Sequence, residues 1–197
     1  MKTDKLLEKA IKTGSLTRFE RSDIEEGDFD GYVIAMSDDL FLFAVLDDLI
    51  VMNGFSVLNI GDVTSIEVPA SNHRFKEAAL RIREDSVGQI PQIDLSSFRS
   101  VIETASQTFP LVSIFIEDGE PGVCYIGRVV SVNDEVLSLH EITPNAEWDP
   151  EPTLHDIADI TRVDFGGRYE DALYQVGGEP PRKAARRRLK SVPKKPN

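Results

Sequence analysis

Gly127-Arg128-Val129-Val130-Ser131-Val132-Asn133-Asp134-Glu135-Val136-Leu137-Ser138-Leu139 rewrites, in other residues, a pattern already present at Gly31-Tyr32-Val33-Ile34-Ala35-Met36-Ser37-Asp38-Asp39-Leu40-Phe41-Leu42-Phe43. Each stretch is an apolar run opened by a glycine and interrupted by a polar dipeptide, which reads as two successive strands around a tight turn. The second copy lies 96 residues after the first, and recurrence at a fixed offset implies two like modules.

The correspondence runs outward from there. Ile60-Gly61-Asp62-Val63-Thr64-Ser65-Ile66 returns as Ile157-Ala158-Asp159-Ile160-Thr161-Arg162-Val163 at an offset of 97. Phe75, Ala78, Ala79 and Ile82 return as Tyr169, Ala172, Leu173 and Val176, both sets spaced i, i+3, i+4, i+7, the spacing of one apolar helical face. Leu6, Leu7 and Ala10 match Val101, Ile102 and Ala105. Each module is therefore expected to run helix, about five strands, short helix. The matching faces at Phe75/Tyr169 and Ile82/Val176 suggest a pseudo-twofold pair of modules.

Composition bounds the rest. The 197 residues suffice for two small domains, divided here as module one over 1–84, module two over 85–178 and a basic tail over 179–197. One cysteine, Cys124, excludes an internal disulfide. No run is apolar for long enough to span a bilayer and the first ten residues lack a secretion signal's apolar core, so a cytoplasmic location and no membrane partner are expected. Residues 180–197 carry eight of the 22 Lys/Arg and none of the 34 acids, which leaves 14 against 34, or −20, in the body. The tail (Arg182, Lys183, Arg186, Arg187, Arg188 and Lys190 among its cations) has little apolar content and is expected to be disordered and able to grip phosphates or an acidic partner.

Taken in order, residues 3–12 form an amphipathic helix stopped at Gly14-Ser15, residues 16–20 a strand, and the pair from Gly31 to Leu46, apolar on both faces, two buried strands. Asn53-Gly54 between Ile50-Val51-Met52 and Phe55-Ser56-Val57-Leu58 is the strongest hairpin signal. Residues 84–92 read as a polar link and module boundary, followed by a helix from Asp94 with Phe98, Val101, Ile102 and Ala105 on one face. The loop over 143–152 replaces that hairpin in module two and holds the only tryptophan, Trp148, between Glu147 and Asp149. Long loops on small scaffolds carry binding residues, which makes this trio the candidate partner contact; the other reading is that Trp148 folds back over a barrel end.

These residues carry a resemblance. A helix and five short strands, glycine opening the second, a polar turn between second and third and an Ile-x-x-Val/Ile closing strand resemble the Sm-like (SH3-like) five-stranded barrel. In module two the likeness reaches the bacterial RNA-chaperone branch at Leu111-Val112-Ser113-Ile114-Phe115-Ile116-Glu117-Asp118-Gly119, Gly127-Arg128-Val129 and Asp159-Ile160-Thr161-Arg162-Val163. The whole chain resembles an uncharacterised bacterial family of tandem proteins. The resemblance implies a mostly β, α+β chain of two tandem five-stranded barrels, each preceded by a helix and followed by a short one. It also implies free edges at the fourth and fifth strands: 55–58 and 62–68 in module one, 153–157 and 159–165 in module two. A tandem chain can close one edge with its sister, which favours a monomer or homodimer over a large ring.

Chemistry is harder to find. The resemblance places an Asp and an Asn around the second turn and a basic pair before the last strand for RNA; here Asp38 and Asp134 lie one residue late, Phe41 and Leu137 stand where the Asn would be, and Asn59-Ile60-Gly61 and Asp156-Ile157-Ala158 replace the basic pair. Phe41 and Leu137 are expected in the core. His73, His140 and His155 are scattered, and His155-Asp156 with Asp159 falls short of a zinc set. Adjacent acid pairs such as Asp38-Asp39 point to opposite faces, and Cys124 in Val123-Cys124-Tyr125-Ile126 reads as a buried inert thiol. No metal, cofactor or catalytic residue is expected. The balance favours a non-catalytic protein-interaction module, a regulator, assembly factor or inhibitor of a basic partner; the alternative is a nucleic-acid-binding protein that uses the tail.

Overall fold

The computed structural model describes residues 3–117 and 122–181; the tail from Arg182 onward, with all six of its named cations, lies outside them. The order is helix α1 (Thr3–Thr13), strands β1 (Thr17–Glu20), β2 (Asp28–Met36), β3 (Leu40–Leu46), β4 (Met52–Asn59) and β5 (Ser65–Glu67), and helix α2 (His73–Ile82). Helix α3 (Phe98–Ser106) follows, then β6 (Val112–Phe115), β7 (Cys124–Val132), β8 (Val136–Glu141), β9 (Thr153–Asp156), β10 (Arg162–Phe165) and helix α4 (Arg168–Gly177). Single 3-10 turns occupy Ile60–Asp62 and Ile157–Asp159.

The expectation of two separate five-stranded barrels is wrong. All ten strands form one antiparallel sheet, not closed into a barrel, in the order β5-β1-β2-β3-β4-β10-β6-β7-β8-β9. The cause is the edge of β4: Phe55, Ser56, Val57 and Leu58 pair with Phe165, Asp164, Val163 and Arg162 of β10. A bare edge invites pairing, and the second half of the chain supplies it. Each half lays its five strands in the same order, and each has a register shift at the same place, between Val33 and Ala35 in β2 and between Val129 and Ser131 in β7. The arrangement is head-to-tail, so β5 and β9 are left as outer edges and the halves are not related as a twofold pair.

Strand β3 shows why the halves cannot be parted. Leu40, Leu42 and Ala44 enter a core shared with α3 (Val101, Ile102, Ala105), β6, β8 and β10. Phe41 and Phe43, on its other face, pack with Leu7 and Ala10 of α1 and with Phe19. Alternate residues point to opposite faces of a strand, so an all-apolar β3 is covered on both sides, as its composition requires. Phe41 and Leu137 are fully buried, as expected. Val163 and Phe165, also at 0 % exposure, each contribute roughly 1.5–3 kcal/mol of burial to a core made by both halves.

Two local expectations fail for tertiary reasons. Asn53-Gly54 makes no hairpin: β4 runs through it, and the chain turns instead at residues 47–51, where the Asp47 carboxylate accepts from the N–H groups of Leu49 and Val51 at 2.9 and 3.1 Å. Gly54 still takes φ 72°, and only glycine fits there, since a Cβ would strike the backbone at Gly166 and Gly167; Asn53 Oδ1 accepts from the N–H of Arg168 at 2.9 Å. The turn signal thus seats the start of α4 on the first half. Next, the apolar faces of α2 and α4 do not pack the halves together. Phe75, Ile82, Tyr169 and Val176 are 66, 83, 52 and 78 % exposed, while Leu80 and Leu173 are the buried residues of those helices. In the polar link over 84–92, Asp85 accepts from the N–H of Met52 at 2.9 Å and Val87 packs on the shared core.

Candidate functional site

The seam between the halves carries the polar groups that an apolar sheet would otherwise exclude. Register places Ser56 of β4 and Ser113 of β6 on either side of Asp164 of β10. Ser56 Oγ donates to Asp164, and Ser113 Oγ donates to Glu170 of α4 at 2.6 Å. Two residues along β10, Arg162 grips Asp164 through Nε and Nη2 at 2.9 and 2.6 Å and lies over the rings of Phe115 and Phe29, at 4.2 and 5.1 Å from their centroids. Burial disfavours its charge, but Asp164, Glu25 and Glu117 outweigh that and hold its pKa above the ordinary value.

Below this row Arg21, with no exposed surface, joins the two halves. It donates to Glu117 at 3.1 and 2.6 Å, to Glu25 at 2.9 Å and to Asp62 at 3.4 Å. Thr161 donates to the same Glu117 carboxylate at 2.7 Å. Two arginines therefore sit among four carboxylates, Glu25, Asp62, Glu117 and Asp164. Among the described residues no group of three His, Cys, Asp or Glu is placed to hold a metal.

From the seam a groove runs out along β7 beneath α4. It consists of two adjoining concavities of about 260 and 320 Å³ that share Cys124, Ile126 and Tyr169 in their walls. The floor is apolar, with Phe55, Phe115, Phe165, Ile142 and Leu173; the rim carries Asp164, Glu170, Glu141 and Asp149 against a single cation, Arg162. Beyond Tyr169 the uncovered face of α4 continues the apolar path through Ala172 and Val176. Cys124 is exposed rather than buried, because it begins β7 at the end of the sheet pairing, opposite Phe115. Partial burial, then the charges of Asp164 and Glu170, push its thiol pKa up. A nucleophilic cysteine needs the opposite shift.

The loop expected to carry the partner contact closes the far end of this groove. Thr143 and Glu147 bond across a turn, Ile142 pairs with Trp148, and Ala146 takes φ 59°. Trp148 folds back: half-buried, it packs against the cluster of Leu111, Ile142 and Leu173, and its indole N–H donates to the Gly177 carbonyl at 3.3 Å. Glu147 is exposed and Asp149 lines the groove. His155 is buried and bonded to Glu141 at 3.0 Å. The sequence reading missed the groove, Tyr169 and the seam, whose one visible sign was Ser56, Ser113 and Asp164 interrupting apolar strands.

Comparison with family models, with curated proteins and with solved structures gives no match to this chain. Among the described residues no helix is long and apolar enough to cross a membrane.

Proposed function

We propose that the chain is a non-catalytic protein-interaction module that binds a basic protein, as a regulator, assembly factor or inhibitor of that partner. The observation that supports this reading is the groove between β7 and α4: an apolar floor with four carboxylates and one arginine on its rim, continued by the uncovered Tyr169, Ala172 and Val176. Apolar surface supplies binding energy and a rim with an excess of carboxylates selects and steers a partner of the opposite charge. A cytoplasmic site of action and a monomeric or homodimeric state belong to the same proposal. The eight cations of residues 180–197 favour a second reading, nucleic-acid binding through the tail.

The test is fluorescence anisotropy with a labelled peptide of alternating Lys and Leu and, separately, a labelled single-stranded RNA. The protein is the full chain with its tail cations replaced by Gln, so that the body alone is assayed. Saturable binding of the peptide, weakened about tenfold or more by Val176→Asp or by Asp149→Lys, is expected. Equal binding by those variants removes the groove reading. RNA binding by the native chain that vanishes in the Gln variant, with no peptide binding by either, replaces it with the second.

A further inference from the structure

We infer that the groove's resident ligand is the chain's own basic tail, residues 182–197, which lies in it as an internal competitor of the basic partner. The inference rests on the preceding reading of the groove and adds its regulation. Three observations carry it.

The first is where the described chain ends. Trp148 donates to the carbonyl of Gly177, and a Cβ on Gly177 would meet Ile142 and the backbone of Ala146. Ile142 is itself a wall of the groove, with Thr143, Pro144 and Asp149 beside it. Glu179 then bonds Arg128 of β7 and the hydroxyl of Tyr174. The last described residues before the tail are therefore fixed beside the groove's far end.

The second is length. An extended chain spans about 3.3–3.6 Å per residue, so sixteen residues reach roughly 50 Å. The ten residues of α4 cover only about 15 Å. The tail can follow the whole groove back to the seam.

The third is charge. The tail has eight Lys/Arg and no acid, and the rest of the chain has a balance of −20. A short tether holds such a segment at an effective concentration near the millimolar range, so individually weak ion pairs suffice for occupancy. Leu189 and Val192 are the tail's larger apolar side chains and match the apolar floor. A free basic partner would have to displace the tail, which sets a threshold for engagement.

Cys124 supplies the assay, since it is the chain's only cysteine, is exposed, and lies in the walls of both concavities. The native full chain is treated with iodoacetamide across a pH range, and the limiting rate at high pH is compared, which removes any effect of the tail on the thiol pKa. The comparison is the full chain with Arg182, Lys183, Arg186, Arg187, Arg188 and Lys190 replaced by Gln. Alkylation about tenfold slower in the native chain is expected. The protection should disappear in 0.5 M NaCl, where screening shortens to a few ångströms. It should return to the Gln variant when a peptide of residues 182–197 is added. Equal rates in the two proteins, or protection that persists in the Gln variant, overturn the inference. The Lys-Leu peptide result on the Gln variant stands apart from this, so an empty groove in the native chain and a groove unfit for basic ligands are distinguishable.

Discussion

Glu117→Gln is the sharpest test of the seam. Glu117 is 8 % exposed and its carboxylate takes both Nη1 and Nη2 of the fully buried Arg21, at 3.1 and 2.6 Å. Removing one member of a buried ion pair costs about 3–5 kcal/mol, because the other charge is stranded. Glu25 and Asp62 still reach Arg21, at 2.9 and 3.4 Å, which places the expected loss near the lower end, about 3 kcal/mol. For a chain of this size that is a fall of about 6–12 °C in Tm. The sign of the pH dependence is also fixed. Burial raises the Glu117 pKa, but hydrogen bonds from Arg21 and Thr161 and the charges of Arg21 and Arg162 outweigh it and hold it below the ordinary value. Its stabilisation is therefore complete above the unfolded pKa of about 4.3 and is lost as pH falls through the lower folded value. The gap between wild type and Glu117→Gln should be widest at pH 6–7 and should close in acid. Urea unfolding followed by far-UV circular dichroism measures both. Arg21→Met combined with Glu117→Met should be more stable than Glu117→Gln alone, since the fully buried guanidinium goes with its partner and the carboxylates left behind, Glu25 and Asp62, are partly exposed, with Arg162 still 3.5 Å from Glu25. A loss under about 1 kcal/mol, or two separate transitions in place of one, would refute the reasoning that the halves unfold together.

Further outcomes follow from single sites. A Cβ at Gly31 would sit on the carbonyl of Ala44 and one at Gly127 on the carbonyl of His140, whereas Gly61 and Gly88 have open space; Gly→Ala should cost about 1–3 kcal/mol at the first two and under about 0.5 at the others in the same urea assay. Asp30 holds Arg18 through two bonds, at 3.1 and 2.7 Å, and also Lys76 of α2. Burial raises its pKa, but these partners outweigh that and lower it, so Asp30→Asn should lose about 2 kcal/mol at neutral pH and progressively less below pH 4.

What the sequence made legible was whatever local pattern alone decides. The unbroken apolar run from Leu40 to Phe43 announced a strand covered on both faces, and the spacing of Leu7 with Ala10, and of Val101, Ile102 and Ala105, announced helices with one buried side. What failed depends on the partner. Asn53-Gly54 asks for positive φ, but only the position of Gly166 and Gly167 shows that the need is clearance rather than a turn. The apolar rows of α2 and α4 have the period of a buried face, yet period does not say whether a surface is free to receive it. Arg21 and Glu117, 96 residues apart in an acid-rich chain, had no signature as a pair. The groove escaped because it is assembled from β7, α4 and a loop, each of which reads as ordinary by itself. Its acidic rim could only be seen as part of a diffuse negative charge.

The seam also explains why it should not be copied from chain to chain. Register makes β5 the counterpart of β10 and β9 the counterpart of β4, with Ser65 in the place of Arg162, Val68 in that of Phe165, Thr153 in that of Ser56 and Pro152 in that of Phe55. The outer edges therefore lack the guanidinium that clamps two aromatic rings and a carboxylate at the seam. They also have Pro152 where a main-chain donor would be, and Pro69 directly after Val68. Leu154, the counterpart of the fully buried Val57, is left 69 % exposed on β9, so apolar surface is available but the polar and backbone complement is not. Head-to-tail growth through these edges should consequently be weak, and light scattering at about 100 μM should give a monomer or a dimer, since one exposed leucine supplies only about 1.5–3 kcal/mol against the several required for association. Restoring the missing groups tests the cause: Ser65→Arg with Pro152→Phe should shift the mass upward with concentration. A closed hexamer or larger from the native chain, or no change in the double variant, would show that the seam's charges and prolines are not what limits assembly.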